Sequence, residues 1–220
     1  LTTVKSYTET LLDGAIDEKE VAIHFLNVMD KEADRMTALV KDLLELSRID
    51  NSQIQLNMEL LDMHALVDEV VEAQSIHIEK QGHKLVYEVA DEKDYFIKGD
   101  SARIKQVMHN IVSNAIKYSP DPGTITVKLS KDKEEHIVVE ISDTGLGIPK
   151  EDLSRIFERF YRVDKARSRK LGGTGLGLSI AKELVELHKG KIDIKSEPGV
   201  GTTVILQFNE ERVQENEEFM

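Results

Sequence analysis

Two asparagines and a lysine stand at helical spacing in the stretch N-I-V-S-N-A-I-K-Y, which begins at Asn110. Asn110, Asn114, Lys117 and Tyr118 fall along one edge of an α-helix, beside an apolar stripe of Ile104, Val107, Met108, Ile111, Val112 and Ala115. Asparagine is a middling helix former, so two at one spacing next to a core stripe call for a reason. Their carboxamide oxygens are neutral hard ligands that suit Mg²⁺ when water and substrate phosphate complete its shell. Lys117 reaches a phosphate from the same edge. Taken alone, this stripe is better accounted for by a solvated helix face.

Three further stretches carry chemistry. In Asp143-Thr144-Gly145-Leu146-Gly147-Ile148 an aspartate at a strand end precedes two spaced glycines. Such a carboxylate can accept from an exocyclic amine, as on adenine, although a capped turn has the same signature. In Gly172-Gly173-Thr174-Gly175-Leu176-Gly177-Leu178 four glycines lie within six residues ahead of a helical run. Glycines let backbone N–H groups approach a ligand closely, and a helix start favours phosphate; a tight turn without a ligand fits the motif as well. Between them, Arg162, Lys165, Arg167, Arg169 and Lys170 place five basic residues in nine, an electropositive cover for a polyphosphate or a solvated loop.

The totals restrict the classes open to the chain. Its 220 residues carry a net charge of −12, which argues against a general binder of nucleic acid or anionic membrane. Without cysteine there are no disulfides or thiolate metal sites. No apolar run approaches the roughly 18 residues of a transmembrane helix. The seven histidines are scattered, without metal-ligand spacing.

The elements that must position these residues come from periodicity. Val4, Tyr7, Leu11 and Leu12 share a helical face that stops at Asp13-Gly14. From about Glu18 to Ile49 a heptad pattern runs in three rows: Ala22, Met29, Met36 and Leu43; Leu26, Ala33 and Val40; Leu39 and Leu46, the last interrupted by Glu32. A stripe this wide predicts a helical hairpin that dimerises into a four-helix bundle. After Asp50-Asn51-Ser52 the period changes to two, and Ile54, Leu56, Met58 and Leu60 predict a strand. Asp62 caps a helix to about Gln81 with Leu66, Val67, Val70, Ala73 and Ile76 inward, and Gly82 ends it. Leu85, Tyr87 and Val89 mark a strand. Asp100 caps the asparagine helix. Strands at 124–129 and 137–142, a short helix with Leu153, Ile156 and Phe157, a helix over 177–188, and a final hairpin of 191–195 with 202–208 complete the reading. The fold class is α+β: a helical hairpin over residues 1–50, an α/β layer over 51–209 with helices on one face of a largely antiparallel sheet, and an acidic, frayed tail over 210–220. Strands and helices do not alternate as in a Rossmann unit.

Taken in order, the Asn110 motif, D-T-G-L-G-I at Asp143, F-E-R-F-Y-R at Phe157 and G-G-T-G-L-G-L at Gly172 resemble the N, G1, F and G2 boxes of sensor histidine kinases. G-V-G-T-T at Gly199 is similar to their last glycine box. The resemblance covers nearly the whole chain and implies the ATP-binding sandwich of the GHKL, or Bergerat, type. It implies ATP and Mg²⁺ as cofactors, with Asn114 and Asn110 as metal ligands and Lys117, Tyr161 and Arg162 on phosphate or ribose. Tyr118 would line the nucleotide, and Asp143 with Gly145, Gly147 and Ile148 would form the adenine pocket. Gly173, Thr174, Gly175, Leu176, Gly177 and Leu178 would wrap the phosphates, and Thr202 would join the cleft. It further implies a homodimer through the N-terminal helices, a response-regulator receiver domain as partner, and a cytoplasmic position for these residues in a membrane-held protein.

The family's acceptor box reads His-Glu-Leu-Arg-Thr-Pro, and Leu1-Thr2-Thr3 resembles the residues immediately C-terminal to that box. The expectation is a kinase core that transfers the ATP γ-phosphoryl to a histidine and on to an aspartate, yet does not label itself. Two other readings stay open: a nucleotide-binding dimerisation module without turnover, and a hydrolysing ATPase. The last needs a glutamate where Asn110 stands, since an amide cannot act as base.

Overall fold

The computed structural model describes residues 2–90, 94–164 and 173–211. Helix α1 (Thr2–Leu12) and the long α2 (Lys19–Asp50) form a hairpin around a turn at Gly14 and a short 3₁₀ segment, Ala15–Asp17. Tyr7 stacks on Phe25 across it, with ring centroids 4.6 Å apart. Of the apolar rows on α2, Ala22 and Leu46 are buried, whereas Leu26, Val40 and Leu43 remain exposed. Glu32, which interrupts the third row, pairs with Arg35 one turn on.

Strand β1 (Glu59–Asp62) pairs antiparallel with β3 (Phe96–Gly99). Helix α3 (Met63–Lys80) and β2 (Lys84–Val89) lie between them in sequence. Then come α4 (Ser101–Tyr118), β4 (Thr124–Lys131), β5 (Ile137–Asp143), α5 (Lys150–Leu153), α6 (Gly177–Leu187), β6 (Lys191–Glu197) and β7 (Gly201–Phe208). The main sheet has the order β2-β4-β5-β7-β6, parallel only between β2 and β4. Alternate residues of the middle strands are buried: Ile125, Val127 and Leu129; Ile137, Val139 and Ile141; Val204, Leu206 and Phe208. They form one core with Val67 and Ile78 of α3, Met108 and Ile111 of α4, and Ile180 and Leu184 of α6. Helices therefore cover one face of a mainly antiparallel sheet, as the sequence predicts.

Three local expectations are corrected. Residues 54–58 are not strand, and pairing begins only at Glu59. The partner is β3, a four-residue strand too short to announce itself by alternation. On α3, Ala73 and Ile76 point outward while Ile78 is fully buried. Steps of three residues drift off a 3.6-residue face, whereas Val67, Val71, Gln74 and Ile78 stay on it. Finally, the acidic tail is pinned at its start: Glu210 pairs with Lys131, and the Glu211 N–H donates to the Phe96 carbonyl at 2.8 Å. Among the described residues no helix is long and apolar enough to cross a membrane.

The caps hold as predicted. Asp62 accepts from the N–H groups of His64 and Ala65. Asp100 accepts from Arg103 N at 3.1 Å through Oδ1, and from Asn57 N at 3.0 Å through Oδ2. Burial opposes its charge, but these N–H groups and the nearby Arg103 outweigh it and hold the carboxyl below the ordinary range. Asp100→Ala is expected to cost about 1–2 kcal/mol at pH 7, read as a lower urea midpoint. A depressed folded pKa stabilises above the unfolded value, so the gap to the parent protein should close as pH falls from about 4 through the depressed value.

Candidate functional site

Helix α4 is pressed on the sheet by its apolar stripe, so its polar edge faces outward beside α6. That edge lines a cavity of about 530 Å³, where Asn110, Asn114, Lys117 and Tyr118 meet Asp143, Gly147, Ile148, Tyr161, Arg162, Gly173, Thr174, Gly175, Gly177, Leu178 and Thr202. Two predicted residues do not line it. Leu176 is fully buried in the core, where it anchors the loop, and Gly145 is buried behind Asp143. Of the predicted basic cover only Arg162 falls among the described residues; Lys165, Arg167, Arg169, Lys170 and Gly172 lie outside them.

Asp143 ends β5 and is held by its neighbours. Its Oδ1 accepts from Gly145 N at 2.8 Å and from Thr202 N at 3.3 Å. A Cβ on Gly145 would lie 2.5 Å from that same oxygen, so the turn can close only over glycine. Burial pushes the Asp143 carboxyl up, against the two N–H donors that favour its charge. The next turn is fixed too: Ile148 N donates to Ser196 Oγ at 2.8 Å, and Gly147 has a φ of +67° with a would-be Cβ 2.0 Å from the Glu197 carbonyl oxygen. Apolar side chains of Ile141, Ile148, Ile156, Ile194 and Val204 complete this part of the lining. A half-buried acceptor among branched aliphatics suits a flat heterocycle with one amine.

The remaining lining is cationic and amide-rich. Lys117 is half-buried, and loss of hydration, reinforced by the Arg162 charge, lowers its pKa to about 8. Arg162 donates through Nη2 to the Thr174 carbonyl at 2.8 Å, and the Phe160 N–H donates to the Gly175 carbonyl at 2.9 Å. The F-E-R-F-Y-R segment is thereby stitched to the glycine loop. Gly175 has a φ of +78°, and a Cβ there would come 3.1 Å from the Phe160 backbone. Asn110 donates from Nδ2 to the Gly177 carbonyl at 3.2 Å, which ties α4 to the start of α6 and leaves its oxygen as the remaining acceptor. The Tyr161 hydroxyl is engaged by Asp152, and its ring lies over Arg155.

Several lining residues were not among those expected from the sequence. His109 and Ser113 sit on the same helix as the asparagines, and their spacing alone could have flagged them. Ala38 and Asp42 come from α2, some seventy residues away in sequence, and nothing local marks them.

Residues 99–212 match the family described as histidine kinase-, DNA gyrase B- and HSP90-like ATPase, and residues 1–52 match the His kinase A (phospho-acceptor) domain. The sensor histidine kinase WalK of Bacillus subtilis is 41% identical over 99% of this chain and 35% of its own length. A sensor protein kinase WalK of Staphylococcus aureus is 36% identical over 99% of this chain and 52% of its own. The chain thus spans between about a third and a half of the curated relatives it matches. The crystal structure of histidine kinase ThkA in complex with response regulator protein TrrA is similar at a TM-score of 0.77 and 25% identity, over 96% of this chain and 57% of that one. The chain belongs to the histidine kinase-, DNA gyrase B- and HSP90-like ATPase family.

Proposed function

We propose that this chain is the catalytic core of a sensor histidine kinase that binds Mg·ATP and passes its γ-phosphoryl group to a histidine. The observation that carries this is the composition of one cavity. A half-buried carboxylate beside aliphatic side chains, Asp143, is matched to the adenine amine. Lys117, Arg162 and the loop of Gly173, Thr174 and Gly175 are matched to phosphates.

The donor set fits a magnesium ion that arrives on phosphate. Two neutral amides at one helical spacing, Asn110 and Asn114, are too few to cage the ion alone, and Mg²⁺ ordinarily keeps water and substrate phosphate in its shell. Bound there, the metal would neutralise phosphate charge. Lys117 and Arg162 orient the triphosphate and Asp143 fixes the base. In the transfer the bond between the γ-phosphorus and the β–γ bridging oxygen breaks, a phosphorus–nitrogen bond to imidazole forms, and ADP leaves; the phosphoryl group then moves to a carboxylate of a response regulator. Such a reaction needs positioning and charge neutralisation more than covalent help. Asn110 is an amide already donating to Gly177, so it is no base for activating water, which favours transfer over hydrolysis. A second copy of the chain is the proposed partner for the exposed Leu26, Val40 and Leu43 of α2.

With labelled ATP, phosphate should pass to a partner kinase made unable to bind ATP but carrying an intact acceptor histidine. Failure to label the partner would refute the transfer reading. Asp143→Asn should nearly abolish ATP binding by calorimetry, because the acceptor becomes an amide. Lys117 sets a pH dependence. It is protonated below its pKa of about 8 and must take up a proton to hold phosphate above it. ATP affinity should fall up to about tenfold between pH 7.5 and 9, and Lys117→Arg should flatten the slope.

A further inference from the structure

One imidazole lines the cavity. His109 precedes Asn110 on α4 and borders the same space, as does Ser113 one turn on. With Lys117 they stand at steps of four, so α4 carries an outer row of donors beside its asparagine row. Only Lys117 of this outer row has a part in the transfer proposed above.

The His109 ring is held from α3. Its Nδ1 lies 2.8 Å from Nε2 of Gln74. Gln74 is half-buried and borders an apolar hollow between α3 and α4 with Val71, Met108 and Val112. A carboxamide in such a place needs a polar partner, and His109 supplies it. An amide nitrogen only donates, so Nδ1 is the acceptor and the ring hydrogen sits on Nε2. The ring is left with one N–H donor to offer.

Its place along the helix decides what that donor can meet. The base end of the cavity is at the C-terminus of α4: a Cβ on Gly145 would lie 2.7 Å from the Tyr118 carbonyl oxygen and 2.5 Å from Asp143 Oδ1. The other end adjoins the helical hairpin. There Glu45 of α2 accepts from Gln106 at 2.7 Å, and Ala38 of α2 lines the cavity. From Tyr118 back to His109 is roughly 13 Å of helix. A nucleotide held by its base at Asp143 runs past Lys117 and Asn114 before it comes level with His109, and it arrives there with its last phosphate. That phosphate must also face the hairpin, since residues 1–52 match the phospho-acceptor domain. The neighbouring Asn110 has its Nδ2 engaged at the Gly177 carbonyl at 3.2 Å, which leaves the imidazole as the side-chain donor at this level of α4.

We propose that His109 distinguishes a nucleoside triphosphate from a diphosphate: oriented by Gln74, its Nε2–H donates to an oxygen of the terminal phosphate. The proposal rests on the ATP reading and adds to it a phosphate contact fixed from α3.

Calorimetry with Mg·ATP and Mg·ADP separates this contact from the rest of the site. His109→Ala should weaken ATP about tenfold and leave ADP within a factor of about two. Gln74→Leu, which frees the ring without removing it, should weaken ATP about threefold and spare ADP. A tether that only joined α3 to α4 would cost both nucleotides alike. Nitrogen-15 spectra of the imidazoles, with His109 assigned by its loss in His109→Ala, should show the hydrogen on Nε2 in the free chain. Mg·ATP should shift that nitrogen and Mg·ADP should not. Equal losses of ATP and ADP affinity in His109→Ala, no loss of either, or a hydrogen on Nδ1 in the free chain would overturn the proposal while the ATP reading stands. A parent chain that bound neither nucleotide would overturn both.

Discussion

Asp100 stands where three segments meet. Its carboxylate takes the N–H of Arg103 at the start of α4 and the N–H of Asn57 in the connection from α2, and its own N–H donates to Nε2 of the buried His188 at 3.0 Å. His188 in turn gives its Nδ1 hydrogen to the Leu184 carbonyl at 2.7 Å, closing the end of α6. The imidazole must be neutral with the proton on Nδ1 for both bonds to exist. One hydrogen-bonded chain thus sets where α4 begins, where α6 ends and how the linker enters. The start of a helix fixes the angular position of every later residue. The facing of Asn110, Asn114 and Lys117 toward the cavity therefore depends on a contact at the far end of α4.

The same helix accounts for the division of the site. One stripe of α4 is apolar and packs on the sheet, so the adjoining edge must be the wall of whatever lies beside α6. The amide and ammonium groups on that edge gather the polar half of the cavity, while strands β5, β6 and β7 contribute Ile141, Ile194 and Val204 to the other. A ligand with an apolar ring and a charged tail fits this division. The proposed order of chemistry, base fixed by Asp143 and phosphates held by Lys117 and Arg162, comes from which element supplies each wall.

Much of this is legible in the sequence because the responsible signals are local. The caps Asp62 and Asp100, the glycine after α3, and the two-residue period of β4, β5 and β7 each depend on a few neighbouring residues. The lining contributed by the four motifs is legible for the same reason. The features that escape depend on contacts distant in sequence. Strand β3 exists because β1 lies opposite it, and Asp42 belongs to the cavity only because α2 is seated on α4 and α6. Leu176 departs from expectation for a related reason. A residue inside a glycine motif reads as ligand-facing, but the loop needs one apolar anchor, and a side chain with no exposed surface is that anchor.

The width of the apolar stripe on α2 has two causes rather than one. Read as a heptad, its three rows call for a bundle of helices and nothing else. The third row, Leu39 and Leu46, is instead used with Ile49 against the sheet layer, and Ala22 is buried within the hairpin, where Tyr7 meets Phe25. Leu26, Val40 and Leu43, with Ile23 and Leu44 beside them, stay exposed and form the face proposed above for a second copy. The helix therefore carries one buried seam and one exposed apolar face. The exposed apolar side is interrupted by the Glu32–Arg35 pair. The sheet side is edged by Asp42, Glu45 and Asp50, and its strength depends on which charges stand opposite.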